Sequence, residues 1–276
     1  MNQPIYIEIR IKTEFENIEP MAARLFEIGM ESSWEESEEL IGYFDETIFD
    51  ETEIKKVVSQ FQTTNFSYAT IEQKNWNEEW EKNFEPVIVD NQLFIRADMH
   101  APKPEIPLEI VINPKMSFGT GHHATTFLMS RAILNTNFEA KNVIDAGCGT
   151  GILTILADMK GAAHVDGFDI EDWTCDNAIE NALINNCKHV KIQCGKINEI
   201  VLFDFYDIIL ANINKNVLIA EMKSYSEKLK TGGKLFLSGF YQKDIEDIES
   251  CAIQNQFKKY NQDIHNDWSC LYLEKI

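Results

Sequence analysis

The sequence has no run of about eighteen apolar residues, the minimum length of a membrane-spanning helix. Its first ten residues, M-N-Q-P-I-Y-I-E-I-R, lack the basic flank and the apolar core of a secretion signal. The six cysteines show no C-x-x-C spacing and no pairing with histidines of the kind that zinc sites use. From these absences we expect a cytoplasmic protein that has reduced thiols, does not enter a membrane and binds no metal.

Basic residues are also scarce. The chain carries 25 Lys and Arg against 45 Asp and Glu, and its formal net charge is -20. Because nucleic-acid binding proteins need clustered cations to meet the phosphates, we expect no direct contact with nucleic acid. Residues 1–75 alone contain 16 acidic and 6 basic side chains. This acidic segment either attracts a basic protein partner or simply keeps the chain soluble.

Length and patterning predict two domains. The chain has 276 residues, of which 44% are hydrophobic, enough for one large core and one smaller core. Isoleucines alternate with other residues from Ile5 to Ile11, and apolar residues then recur at helical spacing up to Met30. This pattern predicts a small α+β domain over residues 1–75, in which the acidic stretch 31–39 is a loop. Aromatic residues four apart, Trp76, Trp80 and Phe84, predict a helix in a connector over residues 76–107.

Residues 108–276 read as the larger domain, because strand and helix patterns alternate along them. Such alternation predicts an α/β fold with a mostly parallel sheet covered on both faces. The predicted strands cover residues 108–112, 142–145, 165–169, 190–193, 206–211 and 233–238, with an antiparallel edge pair at 257–262 and 268–273. The predicted helices cover residues 125–134, 151–159, 172–185 and 217–229.

The most informative motif is V-I-D-A-G-C-G-T-G, where an apolar strand runs into Gly147, Gly149 and Gly151. Glycines let the backbone turn sharply and approach a ligand, and the next helix offers unpaired N–H groups. A dinucleotide fingerprint would need a glycine at position 152, where this chain has Ile152. The spacing therefore favours S-adenosylmethionine (SAM). Asp169 ends the next predicted strand. Its distance along the sequence from the glycine run is close to that at which an acid binds the ribose hydroxyls of an adenosine cofactor, whether a dinucleotide or SAM.

A second glycine-rich run, N-P-K-M-S-F-G-T-G-H-H-A-T-T, leads into the predicted helix that begins near Thr125. Thr125 or Thr126 can cap this helix, and a hydroxyl there can instead bind a carboxylate beside the helix N-terminus. His122 and His123 have no third ligand at a suitable spacing, so a metal site is not predicted.

These motifs together resemble a known family. F-G-T-G-H-H-A-T-T is similar to the F-G-T-G-x-H-x-T-T signature of the ribosomal protein L11 methyltransferase (PrmA) family, and D-A-G-C-G-T-G follows at the family's distance. W-N-E-E-W-E-K-N-F resembles the family's tryptophan-rich connector. The resemblance implies a Rossmann-like SAM-dependent methyltransferase domain behind a small α+β substrate-recognition domain. The cofactor-binding residues that it implies, with those of the two glycine runs, are Phe118, Gly119, Thr126, Gly147, Gly149, Gly151, Asp169 and Asn212.

The resemblance further implies methyl transfer from SAM to the N-terminal amine and lysines of ribosomal protein L11. Asn212, in L-A-N-I-N-K-N, is the candidate catalytic residue, expected to orient the uncharged amine. The chain departs from the family pattern at His122, Ala124, Asn214 and Lys215. Three alternatives stay open: a SAM-dependent methyltransferase for another protein or a small molecule, an oxidoreductase with an adenosine cofactor, and a noncatalytic SAM-binding factor that associates with the ribosome.

Overall fold

The computed structural model of the protein describes residues 6–36, 39–61, 66–71, 84–113, 115, 117–200 and 205–276. The chain divides into two compact units, Met1–Asn83 and Phe84–Ile276. The predicted helix that carries Trp76 and Trp80 lies outside the described residues, whereas Phe84 is buried in the second unit. Within the described residues, no helix is both long and apolar enough to cross a membrane.

The first unit contains both strands and helices, the α+β composition predicted for the N-terminal domain. Its antiparallel sheet has the order β2-β3-β1-β4, and Ile7, Ile9 and Ile11 of β1 point into the core because alternate side chains of a strand face the same side. Two helices cover this core, and Asp50 caps the second by accepting the backbone N–H of Thr52. The elements are β1 (Tyr6–Lys12), α1 (Phe15–Glu27), β2 (Ser32–Glu36), β3 (Glu39–Asp45), α2 (Glu51–Ser59) and β4 (Phe66–Ile71).

The prediction of a loop over residues 31–39 is wrong, because β2 lies within it. Trp34 pairs with Ile41 of β3, so the backbone of this acidic stretch joins the sheet edge. The ring of Trp34 is exposed and meets Tyr43 edge-on at 6.4 Å between centroids. An edge strand with one solvent-facing side tolerates charged residues, which is why the acidic composition was misleading.

The second unit begins with a three-stranded sheet of order β5-β6-β7, in which β6 and β7 are parallel. Its strands are β5 (Val87–Val89), β6 (Leu93–Arg96) and β7 (Leu108–Val111). β5 and β6 lie within the proposed connector and were not predicted, because they are only three and four residues long.

The large sheet has seven strands in the order β10-β9-β8-β11-β12-β14-β13, and β14 alone runs antiparallel to its neighbours. This confirms the predicted Rossmann-like α/β fold. The strands are β8 (Asn142–Ala146), β9 (His164–Asp169), β10 (Val190–Cys194), β11 (Tyr206–Asn212), β12 (Leu229–Tyr241), β13 (Phe257–His265) and β14 (Trp268–Lys275). The helices are α3 (Ala124–Leu134), α4 (Ile152–Met159), α5 (Asp172–Ile184), α6 (Lys215–Lys228) and α7 (Ile245–Gln254), the last of which was not predicted.

The sheet is buried on both faces. Ile208 and Leu210 of β11 contribute to one apolar cluster, and Ile209 and Ala211 to the other. The chain passes from β8 outward to β9 and β10 and then returns to β11 on the other side of β8. A doubly wound sheet binds ligands at the carboxyl ends of its strands where the strand order reverses. This topology therefore directs attention to the ends of β8 and β11.

Candidate active site

The glycine turn after β8 leaves no room for side chains. Gly147 and Gly149 have φ angles of 69° and 55°, in the left-handed region that other residues rarely adopt. A Cβ atom on Gly149 would lie 2.2 Å from the backbone oxygen of Phe118, and one on Gly147 would lie 2.3 Å from Ile213 Cγ2. The turn therefore presents bare backbone to the end of the sheet.

Two hydrogen bonds tie the two glycine-rich runs together. The backbone N–H of Thr150 donates to Phe118 O at 2.8 Å, and Thr150 Oγ1 donates to Gly119 O at 2.6 Å. The run F-G-T-G thus packs directly against the turn that follows β8. The two runs, which are successive motifs in the sequence, therefore form one surface in the structure.

Asp169 stands at the carboxyl end of β9, where it was expected. Its carboxylate accepts the backbone N–H of Gly149 at 3.1 Å and that of Ile170 at 2.8 Å. These two bonds hold the acid against the glycine turn and fix its direction. A carboxylate in this position can accept hydrogen bonds from the hydroxyls of a ribose.

Two buried side chains, those of Asp145 and Cys148, lie next to or within the glycine turn. Thr154 Oγ1 donates to Asp145 Oδ2 at 2.6 Å, and burial raises the pKa of Asp145 to about 7. Burial also raises the pKa of the Cys148 thiol well above its usual range. A buried neutral thiol is a poor nucleophile, so Cys148 serves as a small residue that fills the loop.

The expectation that Thr125 or Thr126 caps α3 is wrong, because His123 is the N-cap. His123 Nδ1 accepts the backbone N–H of Thr125 at 3.3 Å and lies 2.8 Å from Thr125 Oγ1. His122 Nε2 contacts Glu85 O at 2.7 Å, so the adjacent histidines serve different contacts. Among the residues that the structure describes, no group of three His, Cys, Asp or Glu side chains is arranged to hold a metal.

Aromatic rings form one side of the site. His123 lies edge-on between Phe118, at 5.3 Å, and Trp268, at 4.6 Å between ring centroids. Tyr241 packs on Trp268 at 4.1 Å. Such a wall offers ring faces that attract cations.

Asn212 ends β11, and its Oδ1 atom is buried with no hydrogen-bond partner among the described residues. Next to it, the backbone of Ile213 packs so closely on Gly239 that a Cβ on Gly239 would lie 2.1 Å from Ile213 O.

The two residues that depart from the family pattern after Asn212 both form side-chain contacts. Asn214 caps α6 by accepting the N–H of Val217 at 3.2 Å. Lys215 Nζ forms ion pairs with Asp244 Oδ1 at 2.8 Å and with Asp247 Oδ2 at 2.6 Å. The two departures from the family pattern at 214 and 215 therefore have structural roles.

A cavity of about 440 Å³ joins these features. Of the predicted site residues, Phe118, Gly147, Gly149, Asp169 and Asn212 line it. Gly119, Gly151 and Thr126 do not line it. Thr126 is fully buried in α3, where its hydroxyl has no hydrogen-bond partner in the described part of the chain, and Thr125 lines the cavity instead. The lining residues that the sequence analysis did not propose for this site are His123, Phe168, Ile170, Ile213, Asn214, Val217, Glu221, Gly239 and Trp268.

These residues fit SAM. The bare backbone at Gly147 and Gly149 allows the close approach of a ligand, Asp169 offers a carboxylate for ribose hydroxyls, and Asn212 offers an unpaired amide oxygen. The doubly wound sheet with this turn at its switch point defines a class I SAM-dependent methyltransferase.

Comparison with known proteins gives the family. The model of the family described as ribosomal protein L11 methyltransferase (PrmA) matches residues 12–276, and the chain belongs to this family. The ribosomal protein L11 methyltransferase of Bacteroides thetaiotaomicron is 38% identical over 256 residues, which cover 91% of each chain. That of Porphyromonas gingivalis is 38% identical over 250 residues, covering 89% of this chain and 85% of the other. The crystal structure of ribosomal protein L11 methylase from Lactobacillus delbrueckii subsp. bulgaricus matches with a TM-score of 0.64 and 26% identity, over 70% of this chain and all of that one.

The His123 cap predicts an acid-dependent loss of stability. Burial lowers the pKa of His123 below its ordinary value of 6.5, because the partly buried ring is less well solvated when it is charged. Protonation would also remove the acceptor of the cap and place a positive charge at the N-terminus of α3. As the pH falls, His123 is therefore protonated in the unfolded chain before it is protonated in the folded protein. The contribution of the neutral cap to the free energy of unfolding is complete above pH 6.5 and is lost as the pH falls through the folded-state pKa. His123→Asn keeps a cap but cannot titrate.

Urea unfolding between pH 5 and 7.5 measures this effect. We expect the acid-dependent fall in the free energy of unfolding to be smaller in His123→Asn than in the wild type. His265→Asn is the control, because His265 stacks on Phe127 and caps no helix. Equal pH dependence in His123→Asn and the wild type would mean that the pKa of His123 is the same in the folded and unfolded states, which contradicts the prediction.

Proposed function

We propose that this protein transfers methyl groups from SAM to the N-terminal amine and lysine amines of ribosomal protein L11. Membership of the family supports the reaction and the substrate. The observation that carries the proposal within the site is the unpaired amide oxygen of Asn212, buried at the edge of the cavity. An acceptor in that place suits a substrate that donates an N–H group.

Each part of the site has a separate task in this reaction. The bare backbone of Gly147 and Gly149 lets the cofactor approach, and Asp169 accepts hydrogen bonds from its ribose. SAM, when bound, supplies a methyl group that is already activated for attack by an amine. Phe118 and Trp268 form the aromatic side of the cavity.

Asn212 acts on the amine itself. The attacking nitrogen must be uncharged, and α-amines titrate near 8 whereas lysines titrate near 10.4, so a proton leaves to solvent before transfer. Asn212 Oδ1 accepts one remaining N–H of the neutral amine and thereby directs the nitrogen lone pair toward the methyl group. The role is orientation, which does not require Asn212 to take up a proton.

The acidic first unit is proposed to dock the protein substrate. Residues 1–75 carry 16 acidic and 6 basic side chains, and a ribosomal protein that packs against RNA offers the opposite charge. A cytoplasmic location follows from this substrate. Deletion of residues 1–75 should therefore abolish methylation of intact L11 while the affinity for SAM stays within about twofold, because the cavity lies wholly in the second unit.

A short peptide with a free α-amine is the control substrate for this deletion, because it needs no docking. We expect the truncated protein to methylate the peptide as slowly as the full chain does. Unchanged activity of the truncated protein on intact L11 would contradict the docking role of the first unit.

The function itself is tested by incubating the full chain with labelled SAM and purified ribosomal protein L11, followed by mass spectrometry. We expect label on the N-terminal amine and on lysines. Binding of SAM without transfer to L11 would direct the search to another substrate.

A further inference from the structure

Glu221 lines the cavity without belonging to either glycine run or to the segment around Asn212. It lies on α6, the helix that begins directly after Asn214. Val217 and Glu221 are four residues apart and both line the cavity, so one face of α6 closes this side of the site. The cofactor contacts proposed for the family leave this carboxylate without a task.

A part-buried hydrogen bond fixes Glu221 in place. Tyr225, one helical turn further on, is fully buried, and its hydroxyl donates to Glu221 Oε2 at 2.6 Å. Burial raises the pKa of Tyr225 well above its ordinary value, so the hydroxyl keeps the proton that it donates. Within the described residues, Glu221 forms no ion pair and its Oε1 has no hydrogen-bond partner. One carboxylate oxygen is thus positioned and the other is free for a ligand.

The surroundings of Glu221 favour a cation. The described residues that line the cavity include no Lys or Arg. Phe118, which is 53% exposed, and Trp268 contribute aromatic rings to the same cavity, and ring faces attract ammonium groups. The other carboxylate of the cavity, Asp169, already accepts three backbone N–H groups. Lys215, at the start of α6, is committed to two acids near α7.

We propose that Glu221 binds the incoming substrate amine in its ammonium form, with Phe118 and Trp268 as the aromatic walls of this subsite. The subsite takes a primary alkylammonium group, as presented by a lysine or a chain N-terminus. This inference rests on the proposed function and specifies how its site selects an amine. Glu221 is a residue of substrate binding and specificity; the ammonium still releases its proton to solvent before the nitrogen attacks.

The test compares Glu221→Gln with the wild type in steady-state methylation of L11. We expect KM for L11 to rise about tenfold, because one charge-assisted hydrogen bond is lost, while Kd for SAM stays unchanged. The carboxylate stabilises the bound ammonium, so its removal should shift the midpoint of the kcat against pH profile about one unit lower. Asp169 and His123, the other titratable groups of the cavity, are retained in both proteins. A role confined to folding would not move this midpoint.

Two further variants separate the subsite from the stability of the helix. Tyr225→Phe keeps the buried ring but removes the hydroxyl that holds the Glu221 carboxylate. We expect KM for L11 to rise less in this variant than in Glu221→Gln. Glu227→Gln removes an exposed acid of the same helix that lies 3.8 Å from Lys223, and it should leave KM and the pH profile unchanged. An unchanged KM and pH profile in Glu221→Gln would overturn the proposal.

Direct binding distinguishes this proposal from the proposed function. Calorimetry with n-butylammonium, in the presence of S-adenosylhomocysteine, should show binding to the wild type that weakens about tenfold in Glu221→Gln. If L11 is not methylated but this difference is found, the substrate is wrong and the amine subsite stands. If L11 is methylated and the two proteins bind n-butylammonium equally, the subsite is wrong and the function stands.

Discussion

Gly149→Ala should lower the affinity for SAM by at least about 100-fold, equivalent to roughly 2.7 kcal/mol. The added Cβ would lie 2.2 Å from Phe118 O, a backbone atom that cannot rotate away. Relief of this clash must displace either the F-G-T-G run or the turn itself, and the bond from Thr150 N–H to Phe118 O would stretch. The backbone N–H of residue 149, which donates to the Asp169 carboxylate, would move as well. Calorimetric titration with SAM measures the effect.

Gly232→Ala is the matched control for this variant. Gly232 also has a positive φ, of 76°, but a Cβ there would meet nothing within 4 Å. The control therefore carries the backbone strain of alanine without the clash. We expect it to lose about 1 kcal/mol of stability and to bind SAM as the wild type does. If the two variants bind SAM equally well, close approach of backbone at position 149 is not what shapes the site.

The parts of the site that depend on local sequence were predictable. Apolar runs indicated β8, β9 and β11, and the residues that end or follow them meet at one edge because the strands are parallel. Gly147 and Gly149 could be singled out because they lie between an apolar strand and a helix, and Ile152 in place of the third fingerprint glycine favoured SAM over a dinucleotide. The structure brings them to one cavity with Asp169 and Asn212.

Residues that reach the site through tertiary packing could not be predicted in the same way. Glu221 and Trp268 lie on α6 and β14, far along the chain from either glycine run. The only local signal for Glu221 is its spacing of four from Val217. Thr125 was a better candidate N-cap than His123 by residue type, but the helix begins one residue earlier than predicted, at Ala124.

Asn212→Ala should reduce kcat by about 100-fold or more, in the range observed when one positioned polar group is removed from a reacting centre. Its effect on the Kd for SAM should be smaller, below about tenfold, because Gly147, Gly149 and Asp169 remain in place. Single-turnover methylation of L11 at saturating SAM measures the chemical step apart from cofactor binding. A normal rate in this variant would exclude Asn212 from orienting the amine.

Asn214→Ala tests whether the amide of Asn212 or the integrity of its loop matters. Asn214 lines the same cavity two residues later, but its side chain is occupied in capping α6. Loss of this cap should lower stability by about 1 kcal/mol and change kcat by no more than about threefold. The unpaired Oδ1 of Asn212 is the difference between the two side chains. If both variants lose activity equally, the loop acts as a unit and the amide has no separate role; a loss confined to Asn212→Ala assigns the effect to that one oxygen.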